Sequence, residues 1–141
     1  GGYGGYLCAS RDVIDLVKNR ARSFVYSTGL PPATVAGAIA ALDIIARGGA
    51  LVEAPLRKAR AFTAAAGLDE AQSPIVPVVL GDTARALDAA QMLERAGFLA
   101  VAIRPPSVPE GTARLRLTFT AAHPDEAIAR LAALVRGIVR R

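Results

Sequence analysis

The sequence is short of the residue types that build most compact catalytic sites. It has one cysteine, Cys8, and one histidine, His123. A single cysteine excludes an internal disulfide and a cysteine metal cluster. A single imidazole excludes any site that needs two. Cys8 reads instead as a small hydrophobe, and the absence of a disulfide fits a reducing cytoplasm. Tryptophan is absent and aromatics make up 5% of the chain, so alanine supplies much of the apolar surface and lets helices pack closely onto a sheet. No apolar run reaches the roughly 18 residues of a membrane span. The opening Gly1-Gly2-Tyr3-Gly4-Gly5-Tyr6 lacks the basic-then-apolar order of a signal peptide. There is no phosphate-binding P-loop, no GxGxxG and no Ser/His/Asp set.

What is present is a chain of 141 residues, 52% hydrophobic, with a formal charge of +5. That length and apolar content suffice for one domain with a core and exclude a disordered tail. The positive balance raises the prospect of nucleic-acid binding. The arginines, however, are spread from Arg11 to Arg141 with no dense block, which favours a solvated surface with a few anion anchors.

Gly5 to Ser10 reads as a short strand, Asp12 to Ala21 as a helix, and Phe24-Val25-Tyr26 as extended. After the turn Ser27-Thr28-Gly29, Pro31-Pro32 opens a helix with Val35, Ile39, Leu42 and Ala46 along one stripe. Gly48-Gly49 interrupts it. A second helix runs from about Glu53 to Ala66, with Gly67 as its stop. Ile75 to Leu80 is a strand that Pro77 assigns to an edge or a bulge. Asp82 caps a helix ending at Gly97, with Ala86, Ala90 and Leu93 inward. Phe98 to Ile103 is a strand, and Arg104 to Gly111 a proline-rich loop. Arg114 to Thr120 alternates, with Leu115, Leu117 and Phe119 on one face and Arg114, Arg116 and Thr118 on the other. Pro124 at the first position starts the last helix, whose stripe is Ile128, Leu131, Val135 and Ile138. From Ile75 the order is β-α-β-β-α, which predicts a sheet covered on one face by two helices. The first thirty residues do not fit this layout and read as the end of a larger domain.

Arg114 and Arg116 share the strand face opposite the core, and a guanidinium fork suits a carboxylate. The loop from Arg104 to Thr112, stiffened by three prolines, leads straight into them and reads as a ligand wall carrying Ser107. Ser27 and Thr28 precede a helix N-terminus, where hydroxyls and free N–H groups suit a phosphate, though the residues by themselves favour a simple cap. His123 falls at the start of the last helix and reads as a cap or packing residue.

Several segments resemble the α-oxoamine synthases. They are Gly4-Gly5-Tyr6, the run from Arg22 to Pro32, the run Ser73-Pro74-Ile75-Val76-Pro77-Val78 with Gly81-Asp82, the run from Ala102 to Thr118, and Ala121-Ala122-His123. Their order and spacing span almost the whole chain. The resemblance implies an α/β fold: the C-terminal small domain of a fold-type-I transferase that depends on pyridoxal 5'-phosphate (PLP). Residues 1–32 would end the cofactor-binding large domain, residues 33–67 would form bridging helices, and residues 68–141 would form the small domain. It implies a homodimer with a shared active site, no nucleic-acid or membrane partner, no metal, and condensation of L-alanine with a pimeloyl thioester, on CoA or a carrier protein. Family members that take glycine or serine are the nearest alternative. A free-standing small-molecule or RNA-binding module starting near Gly67 is another. By the family match, Thr28, with Ser27 beside it, reaches the phosphate of the partner subunit's PLP. Ser107 lines the substrate site, and Arg116 grips the substrate carboxylate with Arg114 nearby. The lysine that links the cofactor is expected before the glycine-rich turn matched by Gly1 to Gly5, so this stretch by itself is expected to be inactive.

Overall fold

The computed structural model describes residues 3–140; Gly1 and Gly2 of the glycine-rich turn, and Arg141, lie outside the described residues. The chain divides into two compact units, 1–48 and 49–141.

In the first unit α1 (Arg11–Arg20) carries Asp12 in its first turn and Lys18 and Arg20 in its last, the arrangement that complements the helix dipole. A short helix α2 (Arg22–Val25) follows, and then α3 (Pro32–Arg47), with Pro32 at its first position. Two expectations fail here. Gly5 to Ser10 forms no strand, and Phe24 and Val25 are helical rather than extended. A strand needs a ladder partner for its N–H and C=O groups, and the sheet's strands all lie in the second unit. The backbone around Phe24 bonds locally instead, with the N–H groups of Phe24 and Val25 donating to Ala21 O at 2.9 Å. Cys8 is exposed, contrary to the reading of a packed hydrophobe. No residue of α1, α2 or α3 is buried. The stripe of Val35, Ile39 and Leu42 is in place on α3 yet 41–56% exposed.

The second unit holds the core. It opens with α4 (Ala50–Ala66), three residues longer at its start than expected. Gly67 ends α4 in the left-handed conformation at φ 75°. There the N–H groups of Gly67 and Leu68 donate to Ala64 O and Thr63 O, satisfying carbonyls that a helix end otherwise leaves open. Then come β1 (Ile75–Gly81), α5 (Thr83–Arg95), β2 (Val101–Ile103), β3 (Ala113–Thr118) and α6 (Asp125–Val139). Asp82 caps α5 as expected, its side chain accepting from Arg85 N at 2.9 Å. The strand expected over Phe98 to Ile103 shrinks to three residues. Its partner β3 pairs only as far as Val101↔Arg116 on that side, so the earlier residues have no ladder to join. Pro124, not His123, is the N-cap of α6, which begins at Asp125.

The sheet order is β1-β3-β2, antiparallel throughout. β3 therefore lies between β1 and β2, and α5 crosses over it from one to the other. Pro77 sits on the edge strand β1, opposite Arg116. Alternation decides what each face does. Val76, Val78 and Leu80 of β1 and Ala113, Leu115 and Leu117 of β3 point inward and are buried. They meet Ala86, Ala89 and Leu93 of α5 and Ile128, Leu131, Val135 and Ile138 of α6 in one core. Phe62 of α4 closes that core against Phe119, ring centroids 5.0 Å apart. Each valine, leucine, isoleucine or phenylalanine among them contributes roughly 1.5–3 kcal/mol on full burial. The opposite face, carrying Ile75, Val79, Val101 and Arg116, is open.

Candidate functional site

The open sheet face displays the arginine pair. β3 is the central strand, so its backbone is held on both sides. The register places Arg114 between Val79 and Ile103, and Arg116 between Pro77 and Val101. Each guanidinium thus rises from a strip of apolar side chains. The two differ in what they touch. Arg114 is half-buried, and its Nε donates to Thr112 O at 2.9 Å. Arg116 is exposed, and among the described residues its side chain makes no hydrogen bond or ion pair within the chain. Its whole fork is thus unpaired within the chain among the described residues.

The β2–β3 connection, residues 104–112, borders this face. Ser107 is exposed on it, and its N–H donates to Arg104 O at 3.0 Å. Thr112 donates from both N and Oγ1 to Pro109 O, at 3.2 and 2.7 Å. Three of the expected site residues, Ser107, Arg114 and Arg116, therefore occur on one hairpin. Ser27 and Thr28 lie in the first unit, on the segment before α3. Both are exposed; the Ser27 hydroxyl donates to Phe24 O at 3.0 Å. Thr28 keeps its hydroxyl clear of any intrachain bond among the described residues, the donor type a phosphate oxygen accepts.

His123 does no cap work through its side chain. Its Nδ1 accepts from Thr120 N at 3.2 Å, and its ring meets Phe119 edge-on. It shapes the turn after β3. Lys58, on α4, completes that turn. It is buried on α4, and its Nζ donates to Ala121 O at 2.9 Å and to His123 O, with Asp125 Oδ1 at 3.6 Å.

Three arginines have a comparable task. Arg136 of α6 donates to Ala65 O at the end of α4, and Arg130 of α6 to Ala96 O after α5, at 3.3 Å. Arg85 of α5 donates to Ile138 O near the end of α6, at 3.2 Å. Each helix of the unit thus has its C-terminal carbonyls met by an arginine from a neighbour, where a cation is favoured. Arg130 also lies over the Phe98 ring, 5.2 Å from its centroid. These arginines therefore bond to backbone carbonyls of the chain itself. No group of three or more potential metal ligands occurs among the described residues, and no single helix there is long and apolar enough to cross a membrane.

The chain matches known proteins along nearly its whole length. Residues 1–135 match the model of aminotransferase class I and II, and the chain belongs to that family. The 8-amino-7-oxononanoate synthase of Methylocella silvestris is 63% identical over 140 residues, covering 99% of this chain and 40% of that protein. The enzyme of the same name from Granulibacter bethesdensis is 60% identical, covering 99% of this chain and 36% of its own length. The chain thus spans about two fifths or less of the relatives it matches. Among solved structures, Sphingomonas wittichii serine palmitoyltransferase superposes with a TM-score of 0.74 at 26% identity, over 92% of this chain and 34% of that one. An 8-amino-7-oxononanoate synthase from Francisella tularensis gives 0.70 at 19% identity, over 94% and 40%, a likeness of fold.

Proposed function

We propose that this chain is part of a PLP-dependent acyltransferase. It condenses L-alanine with a pimeloyl thioester to 8-amino-7-oxononanoate, carbon dioxide and the free thiol carrier, a step of biotin synthesis. The supporting relatives are at 60–63% identity and carry that enzyme's name. The observation that carries the reading from the structure is Arg116, a guanidinium on the rigid central strand without an intrachain partner among the described residues. A planar fork held in place is what bidentate capture of an amino-acid carboxylate requires.

PLP, when bound, supplies the electron sink for the bonds that break at the amino acid's α-carbon. The residues of this chain do the holding. Arg116 orients the amino acid through its carboxylate. Ser107, on the stiff loop, borders the substrate. Thr28, with Ser27 beside it, donates to the cofactor phosphate of the partner subunit in a homodimer with a shared site. In this reading residues 1–32 complete the cofactor domain, 33–67 bridge, 68–141 form the small domain, and the enzyme is cytoplasmic. Neither Lys18 nor Lys58 is assigned the cofactor link in this reading. Lys58 is committed to the turn after β3.

The test is turnover. The full-length protein, loaded with PLP and given pimeloyl-CoA, is offered L-alanine and glycine in parallel, with the product identified by mass. The reading predicts 8-amino-7-oxononanoate and a strong preference for alanine. A strong preference for glycine removes it in favour of a glycine-using relative.

A further inference from the structure

Two arginines share one sheet face, yet their surroundings assign them different work. Arg114 Nε is already spent on Thr112 O, at 2.9 Å. Thr112 passes that anchorage on: its N–H and hydroxyl both hold Pro109 O. Pro109 is two residues from Ser107, whose own N–H closes the first turn of the loop on Arg104 O. A run of bonds thus leads from the central strand back to the loop tip. The far side of the loop is fitted against β1. Gly81, at φ 85°, sits at the bulge of β1, and a Cβ there would stand 3.5 Å from Gly111 O. Gly111 is itself at φ 72°. The loop therefore rests on β1 at Gly111 and is tied to β3 through Arg114.

We infer that Arg114 is a positioning residue, a latch for the substrate loop, and that it acts through Thr112 and the Ser107 loop rather than by contact with substrate. Its working atom is Nε, not its charge. That distinction is testable because glutamine carries an N–H₂ at the same place along the side chain as arginine's Nε. Lysine keeps the charge but has a methylene there. A latch is preserved by Arg114→Gln and weakened by Arg114→Lys. An anion anchor has the reverse order.

The experiment is amide hydrogen exchange on the full-length protein, following the segment 104–113 and, as internal reference, α6. Prolines carry no amide, so the bonded N–H groups of Ser107 and Thr112 dominate the protected signal. Arg114 lies on the face opposite the core, so both variants keep the core residues intact. Arg114→Gln should exchange in this segment within about twofold of the parent. Arg114→Lys should exchange about fivefold to tenfold faster, as expected for one lost hydrogen bond, with α6 unchanged in both. A second readout is L-alanine affinity, and it rests on the reading of Arg116 above. Arg114→Gln should bind alanine within about twofold of the parent, whereas a lost direct ion pair costs tenfold or more. The exchange result stands whatever the substrate proves to be. If Arg114→Lys protects the loop as well as or better than Arg114→Gln, or if both variants fall together, the latch is overturned.

Discussion

Lys58 offers the sharpest test of how the second unit is held. It reaches from α4 to the turn between β3 and α6, 63 and 65 residues away in sequence, and is 8% exposed. Lys58→Met keeps aliphatic bulk at this buried position and removes the donor. A hydrogen bond from a charged donor contributes roughly 1.5–3 kcal/mol, and there are two. Two effects reduce the sum. His123 is exposed and Ala121 half-buried, so their carbonyls regain water, and burying the ammonium is itself costly. The Asp125 side chain is 73% exposed, so its share is under about 1 kcal/mol. The expected net loss is about 2 kcal/mol, concentrated at the turn. The assay is amide exchange over residues 119–128 of the full-length protein, where about 2 kcal/mol corresponds to roughly thirtyfold faster opening. Exchange within twofold of the parent would show that the turn is held without Lys58, by the Phe62–Phe119 contact and the Thr120–His123 bonds, and would refute the reasoning.

Two further outcomes follow from the same geometry. Neither lysine of the chain should link PLP: after mixing with the cofactor and borohydride reduction, peptide mapping should find no stoichiometric labelling of Lys18 or Lys58, and stoichiometric labelling of either would contradict the account. Thr28→Val removes a hydroxyl and keeps the shape, and should weaken cofactor binding to the full-length protein by roughly 1.5–3 kcal/mol, the scale of a hydrogen bond to a charged group; unchanged affinity in a reconstitution titration would remove Thr28 from the phosphate site.

The second unit was legible because its signals are periodic. Leu115, Leu117 and Phe119 alternate, and Ile128, Leu131, Val135 and Ile138 recur at helical spacing; all seven are buried. Pro77 announced an edge strand and Gly67 a helix end by backbone chemistry alone. Periodicity failed where a segment's state depends on a distant partner. Gly5 to Ser10 and Phe24 to Tyr26 have strand-like composition but no ladder in their unit, and Phe98 to Ala100 lies beyond the paired part of β3. The site divides in the same way. That Arg114 and Arg116 share a face follows from a spacing of two. Which of them is free does not, because it is set by a carbonyl in the preceding loop. Lys58 had no local signal at all: on a helix it is one more basic residue, and its partners come from the far end of the chain. The basic excess was ambiguous for a related reason, since a helix-capping arginine and a phosphate-binding one are identical in sequence.

The central claim is that Arg116 is the anchor for the amino-acid carboxylate, and the most direct measurement is the L-alanine dissociation constant of the full-length Arg116→Lys variant, read spectroscopically with thermal unfolding as control. Lysine keeps the charge and loses the fork. The account predicts binding weaker by roughly 1.5–3 kcal/mol, a smaller loss for Arg114→Lys, and unfolding close to that of the parent for both. Alanine binding by Arg116→Lys equal to the parent's, or a larger loss from Arg114→Lys, would contradict it.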